Sequence, residues 1–296
     1  MTNKEKMKLD VKWASRQRLE YIEIMAYYTG LISRSEVAEA FGISDAAATK
    51  DLKLYNDLAP DNLIYKHSMF GFVPAAGFTA LFADLSPNRI LPMMANNLAA
   101  AGGPYGNTAI YGISLEALPL PSRLPSKEVL AQITRAIRGH SKLSVSYRSL
   151  SDRDSNQQRI LEPHSLVNTG LRWHVRAYSE ETYDFRDFVL SRFAEAQCLE
   201  ELAESNLQYD DDWVESVVLE LSPHPKLAER KQASLLQDYA ATDGKIVINV
   251  RRALIAYVLQ RLTVDTTRDH SLNPNAYQLV LLNRDEIEPF AAWVFQ

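Results

Sequence analysis

The chain has 296 residues, enough for two or three domains, and its 46% hydrophobic content is that of a chain able to build packed cores. No stretch approaches 18 uninterrupted apolar residues, so no membrane span is expected, and the charged start at Lys4, Lys6 and Lys8 lacks the apolar segment of a signal peptide. The single cysteine, Cys198, excludes an intramolecular disulfide and fits a reducing, cytoplasmic location. The net charge of −5 is unevenly spread: 0 over residues 1–75, +3 over 76–194 and −8 over 195–296. Acidity therefore belongs to the C-terminal third. Residues 1–18, with six basic and two acidic groups, form a candidate phosphate-contacting arm.

In chain order, residues 13–28 read as an amphipathic helix with Leu19, Ile22, Met25 and Ala26 at helical spacing. Residues 33–58 then carry the most specific local signal. Ser33 and Glu36 form a capping box, Val37, Ala38 and Phe41 are apolar, Gly42 ends the helix, and Ser44 caps a second helix over about 45–57. Two short helices around a glycine turn make a helix-turn-helix, whose second helix can enter the DNA major groove. Its exposed start is small or polar: Ser44, Asp45, Ala46, Ala47, Thr49, Lys50 and then Lys53. Small residues let the backbone approach base edges, and Thr and Lys reach bases or phosphates. Residues 62–73 read as a hairpin with Lys66 and His67 at its tip, the wing of a winged helix.

Pro87 and Pro92 should break residues 80–101 into short helices, Gly102-Gly103-Pro104 is a turn, and Pro119, Pro121 and Pro125 mark a linker. A helix is expected over 126–139. The period then changes to two, with strands at about 142–148, 158–163, 170–178, 187–192 and 194–199 and a turn over 151–156, which suggests a small antiparallel barrel. Beyond it, strands at 214–221, 244–250 and 277–282 alternate with helices at 226–239, 252–262 and 285–295, a small α/β sandwich. The expected fold class is thus α+β multidomain. The expected domains are residues 1–95 (winged helix-turn-helix), 96–125 (linker), 126–202 (Sm/SH3-like small β-barrel) and 203–296 (C-terminal extension).

The barrel region carries an unusual polar set: Tyr147, Ser149, His164, Trp173, His174, Arg176, Arg186 and Arg192. Alternation places Arg172, His174, Arg176 and Tyr178 on one strand face, and Arg186, Phe188, Leu190 and Arg192 on one face of another. Arginines shared by two strands on a common side would bind anions and stack bases. Trp173 is expected in the core. The six histidines show no metal-ligand spacing, and there is no phosphate loop or nucleophile elbow, so neither metal, cofactor nor catalysis is expected.

The run RWHVRAY (172–178), with Arg159–His164 before it and FRDFVLSRF (185–193) after it, resembles the WYL domain; His174-Val175 stand where that family's name-giving Tyr-Leu would be. Residues 41–65 resemble the winged helix, and LELSPHPKL (219–227) the C-terminal extension, of WYL-type repressors of the phage-defence BREX and CBASS systems. That resemblance spans nearly the whole chain. It implies a homodimeric repressor that binds an inverted-repeat operator, autoregulates a defence operon, and is released when a nucleotide or single-stranded nucleic acid binds the WYL domain. The residues leave the sign of regulation open, so an activator is the alternative, with a nucleic-acid-processing enzyme behind it.

Overall fold

A computed structural model describes residues 11–100, 109–110, 113–114, 118–150 and 158–295. The chain divides into two units, residues 1–119 and 120–296. The start of the expected basic arm, the Gly102-Gly103-Pro104 turn and the 151–156 turn lie outside the described residues.

The first unit follows its capping residues. Helices α1 (Trp13–Thr29), α2 (Arg34–Phe41) and α3 (Asp45–Leu58) come in succession. Ser33 Oγ accepts the Glu36 N–H at 3.2 Å and the Ser33 N–H donates to Glu36 Oε2 at 2.7 Å, closing the capping box. Gly42 adopts φ 60°, a left-handed conformation that glycine enters without a Cβ penalty. Leu19, Ile22, Val37, Ala48, Leu52 and Tyr55 pack together as the core. The wing consists of β1 (Leu63–Lys66) and β2 (Gly71–Pro74), paired from Leu63↔Pro74 to Lys66↔Gly71. An Ile32↔Phe72 bridge fastens the wing to the loop before α2. Gly71 allows this close approach, because a Cβ would fall 3.0 Å from the Ile32 carbonyl oxygen and 2.8 Å from Leu31 Cδ1.

Helix α4 (Pro87–Ala100) corrects the expectation of broken helices, since it runs through Pro92. Pro92 forfeits one backbone bond. Burial of Ile90 and Met94 against Ile24 offsets that loss. Strands β3 (Ala109–Ile110) and β4 (Ile113–Ser114) form a separate pair.

In the second unit, α5 (Lys127–Gly139), capped by Ser126, packs Val129, Ile133 and Ala136 on a sheet. Its strands are β5 (Ser141–Tyr147), β6 (Gln158–Asn168), β7 (Trp173–Ser179), β8 (Asp184–Val189) and β9 (Phe193–Leu202), antiparallel in the order β8-β7-β6-β5-β9. Bulges bend β5 and β6, but among the described residues no pairing joins β8 to β9, so the sheet is open and no closed barrel forms. Strand β6 runs past Pro163, where it was expected to stop; the register shift between Pro163 and Ser165 absorbs the missing N–H.

The C-terminal part contains α6 (Asp211–Val214), β10 (Ser216–Pro223), α7 (Glu229–Asp238), β11 (Ile246–Arg251), α8 (Ile255–Arg261), β12 (Val264–Asp265), β13 (Leu279–Leu281) and α9 (Arg284–Ile287). Its sheet order is β11-β10-β13-β12, with β12 and β13 parallel. The closing helix expected over 285–295 stops at Ile287 and gives way to 3-10 turns, because Pro289 cannot donate into a helix. Among the described residues no helix is long and apolar enough to cross a membrane.

The N-terminal unit is pinned by one buried carboxylate. Glu23, fully buried in α1, accepts N–H bonds from Leu81 (2.6 Å), Phe82 (2.8 Å) and Ala83 (2.6 Å) and the Tyr55 hydroxyl (3.0 Å). Asn62 extends the network, donating to Tyr55 Oη and to the Thr79 carbonyl and accepting the Thr79 N–H. Four donors satisfy the charge, so α1, α3 and the segment after the wing hold together. Glu23→Ala orphans all four, and thermal unfolding should show a loss of about 3 kcal/mol or more. A loss below about 1 kcal/mol would contradict this role for Glu23.

Candidate functional site

Two surfaces carry the expected functional residues, one in each unit. In the first, Ser44 Oγ accepts the Ala47 N–H at 3.3 Å and starts α3 in the open. Ser44, Asp45, Ala46, Thr49, Lys50 and Lys53 are exposed, Ala47 is half-buried, and Ala48, Leu52 and Tyr55 face the core. Thr49 Oγ1 donates back to the Asp45 carbonyl at 2.8 Å, which leaves its oxygen free to accept. Lys66 and His67 are exposed on the wing, where the His67 ring meets Tyr65 edge-on at 4.9 Å. The tip ends in Phe70, 81% exposed and at φ 51°, an uncommon conformation for a side chain of that size.

Arg34 is absent from the expected contacts. It opens α2, and its Nε lies 3.2 Å from Asp45 Oδ2, both groups exposed. It thereby offsets the one carboxylate in the first turn of α3. Between α2, α3 and the wing lies a groove of about 590 Å³, lined by Arg34, Thr49, Lys53, Asn56, Tyr65 and Phe70 among others. Arg34 could have been found from sequence as a cation placed directly after a cap, opposite the acid of the next helix.

The polar set on the sheet of β5 to β9 is split by its strand register. Arg176 pairs across strands with Asp187, and His174 with Val189, so these share a face. Arg186 pairs with Ala177 and takes the opposite face, where it is exposed and 3.9 Å from Asp184. The expected common side for Arg176 and Arg186 is therefore corrected. Trp173, expected in the core, stands at the strand's end and is 38% exposed. Tyr147 is buried between Phe188 and Phe193, its hydroxyl oxygen accepting the Val189 N–H at 3.0 Å. Ser149 is half-buried just beyond the end of β5.

Arg176 is buried and committed. Its Nε and Nη2 donate to Asp210 at 2.7 and 2.9 Å, and Asp187 lies 3.6 Å from Nη1. His164 Nε2 lies 3.1 Å from the same Asp210 carboxylate and Nδ1 2.9 Å from Ser165 Oγ. Burial alone would push the Asp210 carboxyl up, but the bonds from Arg176 and His164 outweigh it and hold it at about 2. Burial pushes the Asp187 carboxyl up despite the nearby Arg176 and the Tyr257 hydroxyl. With its charge matched inside the protein, Arg176 is not a free anion ligand, which corrects its expected place on an open arginine face.

The uncommitted charge lies alongside. Arg123, Arg172 and Arg192 form no ion pair among the described residues, and all three are half-buried. Burial, then Arg123 and Arg192, push the Arg172 guanidinium down. His174 lies among them, 1% exposed, with neither ring nitrogen bonded to any described group. Burial, then Arg172, Arg192 and Arg123, hold its imidazole down at about 4. Three guanidiniums around a neutral imidazole make a place that an oxyanion would stabilise. Arg172 was legible from strand alternation, whereas Arg123, in the segment before α5, gave no signal. Among the described residues no cluster of His, Cys, Asp and Glu could hold a metal.

Three family models match in chain order. They are the BrxR transcriptional regulator winged helix-turn-helix domain over residues 14–96, the WYL domain over 128–198 and the BrxR transcriptional regulator C-terminal dimerization domain over 216–287. Fold and surfaces thus define a winged-helix transcriptional regulator with a WYL domain. Proteins named DNA-binding transcriptional repressor CapW are similar over almost the whole chain. That of Escherichia coli (strain KTE188) is 34% identical over 96% of this chain and 94% of its own. Those of Pseudomonas aeruginosa and Stenotrophomonas maltophilia are 32% and 29% identical, each over 94% of this chain and 92% of its own. The chain belongs to the CapW family of DNA-binding transcriptional repressors, a family of regulators and not of enzymes.

The buried imidazole has a measurable signature. Its folded value of about 4 lies below the ordinary 6.5, so between these pH values the unfolded chain binds the extra proton. Stability from this group is complete above about pH 6.5 and falls as pH drops toward 4, by up to about 3 kcal/mol. His174→Phe should remove this part of the pH dependence of chemical denaturation, and an unchanged slope between pH 6.5 and 4 would contradict it.

Proposed function

We propose that this chain acts in the cytoplasm as a homodimeric repressor of a phage-defence operon that includes its own gene, and that a phosphate-bearing ligand releases it. The division of labour follows the expected domains: residues 1–95 read DNA, 126–202 sense the ligand and 203–296 pair two copies. Operator reading is assigned to Ser44, Asp45, Ala46, Ala47, Thr49, Lys50 and Lys53 on α3, with Lys66 and His67 on the wing and Arg34 beside them. Two copies related by a two-fold axis would read an inverted repeat with half-sites about 34 Å apart, or a multiple of that. The matched C-terminal dimerization domain and the repressor names of the relatives support this reading.

The observation that carries ligand control is the cluster of Arg123, Arg172 and Arg192, without an ion pair among the described residues, around His174, whose ring nitrogens have no hydrogen bond there. A nucleotide or single-stranded nucleic acid supplies the phosphate for the guanidiniums and a base to stack on the exposed Trp173. His164 and Arg176 serve this site indirectly by holding the sheet, Tyr147 and Ser149 flank it, and Arg186, on the opposite face, stands outside it. Such a ligand releases the operator only by binding one form of the dimer more tightly than the other.

Lys50→Ala should weaken operator binding and flatten the slope of log Kd against log salt by about one unit. Gel-shift titration on the gene's own upstream DNA measures both, and unchanged values would remove Lys50 from the interface. The pair Arg172→Ala and Arg192→Ala should keep operator affinity while losing release by a single-stranded oligothymidylate or tripolyphosphate. A normal response in that double variant would place the ligand elsewhere.

A further inference from the structure

The anion face is backed by a side chain from the C-terminal domain. Tyr257, on α8, lies with its ring 5.0 Å from the His174 ring at 39°. Its hydroxyl donates to Asp187 Oδ2 at 3.0 Å. Burial and then the Asp187 charge push its phenol up, so it remains a protonated donor. Asp187 is also the carboxylate 3.6 Å from Arg176. One tyrosine of the C-terminal domain therefore touches both the imidazole among the free guanidiniums and the acid that helps neutralise the buried one.

The packing around this tyrosine is incomplete. Its helix borders a largely apolar pocket of about 380 Å³ lined by Tyr257 itself with Val167, Ile248, Leu254, Val258 and Leu262. That pocket opens to solvent, so the Tyr257 side of α8 is less closely packed than the side that carries Ile255 and Leu259 into the core. The outer edge of the Tyr257 ring meets Trp293 at 6.1 Å, further along the same domain. Ile255, Ala256 and Leu259 fix the other face of α8 in its own domain's core, so among the described residues the hydroxyl bond to Asp187 is the one side-chain hydrogen bond that α8 makes to the sheet of β5 to β9.

We infer that Tyr257 is the positioning residue that couples the anion face to the dimerization domain, its bond to Asp187 holding the operator-binding form and its release accompanying ligand binding. This rests on the ligand control proposed above. An anion drawn to Arg172, Arg192 and Arg123 changes what surrounds His174, the ring against which Tyr257 is seated. If the seated form binds operator and the released form binds anion, weakening the fastening must move the two affinities in opposite directions.

The test is Tyr257→Phe, which keeps the ring and removes only the donor. Operator affinity by gel shift should fall about fivefold or more, while affinity for tripolyphosphate or oligothymidylate by calorimetry rises by a comparable factor. A merely structural role would weaken operator binding without tightening the probe. Hydrogen exchange on the wild-type protein supplies a reading independent of the variant: either probe should lower protection across residues 255–261. If wild type binds neither probe, the anion-face reading fails and this inference with it. If wild type binds but Tyr257→Phe shifts both affinities together or neither, or residues 255–261 keep their protection, the coupling role is overturned while the anion face stands.

Discussion

The buried Arg176 guanidinium is the constraint on which the second unit turns. A charge 6% exposed on a strand interior must be met by an opposite charge and saturated with hydrogen bonds, or it would not stay there. Asp210 meets it with two bonds, and Asp210 belongs to the segment that leads into the C-terminal sheet. The same carboxylate holds His164 and accepts the Trp213 N–H at the start of α6. A pair of this kind adds little net stability over an apolar substitute, but it fixes which strand faces which segment. Here it joins the WYL sheet to the domain that follows.

That commitment sorts the remaining arginines. Because Arg176 is neutralised within the protein, the proposed ligand would fall to Arg172, Arg192 and Arg123, and burial together with these cations holds the His174 imidazole down. The N-terminal unit uses buried charge in the same way, with Glu23 collecting donors from α3 and from the segment after the wing. In both units, a buried charge met by partners inside the protein underlies a surface whose cations, Arg172 and Arg192 in one and Lys50 and Lys53 in the other, have no ion pair among the described residues. In the first, Lys50 and Lys53 stand on a helix face whose only early carboxylate is offset by Arg34. The overall acidity of the chain is no obstacle, since it lies in the C-terminal third.

Local signals in the sequence were sufficient for the winged helix. The Ser33–Glu36 box, the left-handed Gly42 and the Ser44 cap each act within four residues, and each formed as its chemistry requires. Strand alternation likewise put His174 and Arg176 on one face, as their pairing with Val189 and Asp187 shows. What local pattern cannot supply is the partner across the fold. Asp210 stands 34 residues from Arg176, and Tyr257 stands 70 from Asp187, with nothing in the intervening sequence to mark either pairing. The face of Arg186 depended on the hairpin register, set by a turn in which Tyr183 adopts φ 53°. Pro92 and Pro289 show the same limit from the other side: one is overridden by apolar burial and the other is not.

In the proposed repressor, sensing and DNA reading are two ends of one equilibrium, and thermodynamic linkage makes their coupling measurable. The dissociation constant of the operator should be determined with and without saturating oligothymidylate, and that of oligothymidylate with and without saturating operator. The account predicts that each ligand weakens the other by the same factor, about fivefold or more. An operator affinity unchanged at saturating oligothymidylate would contradict it.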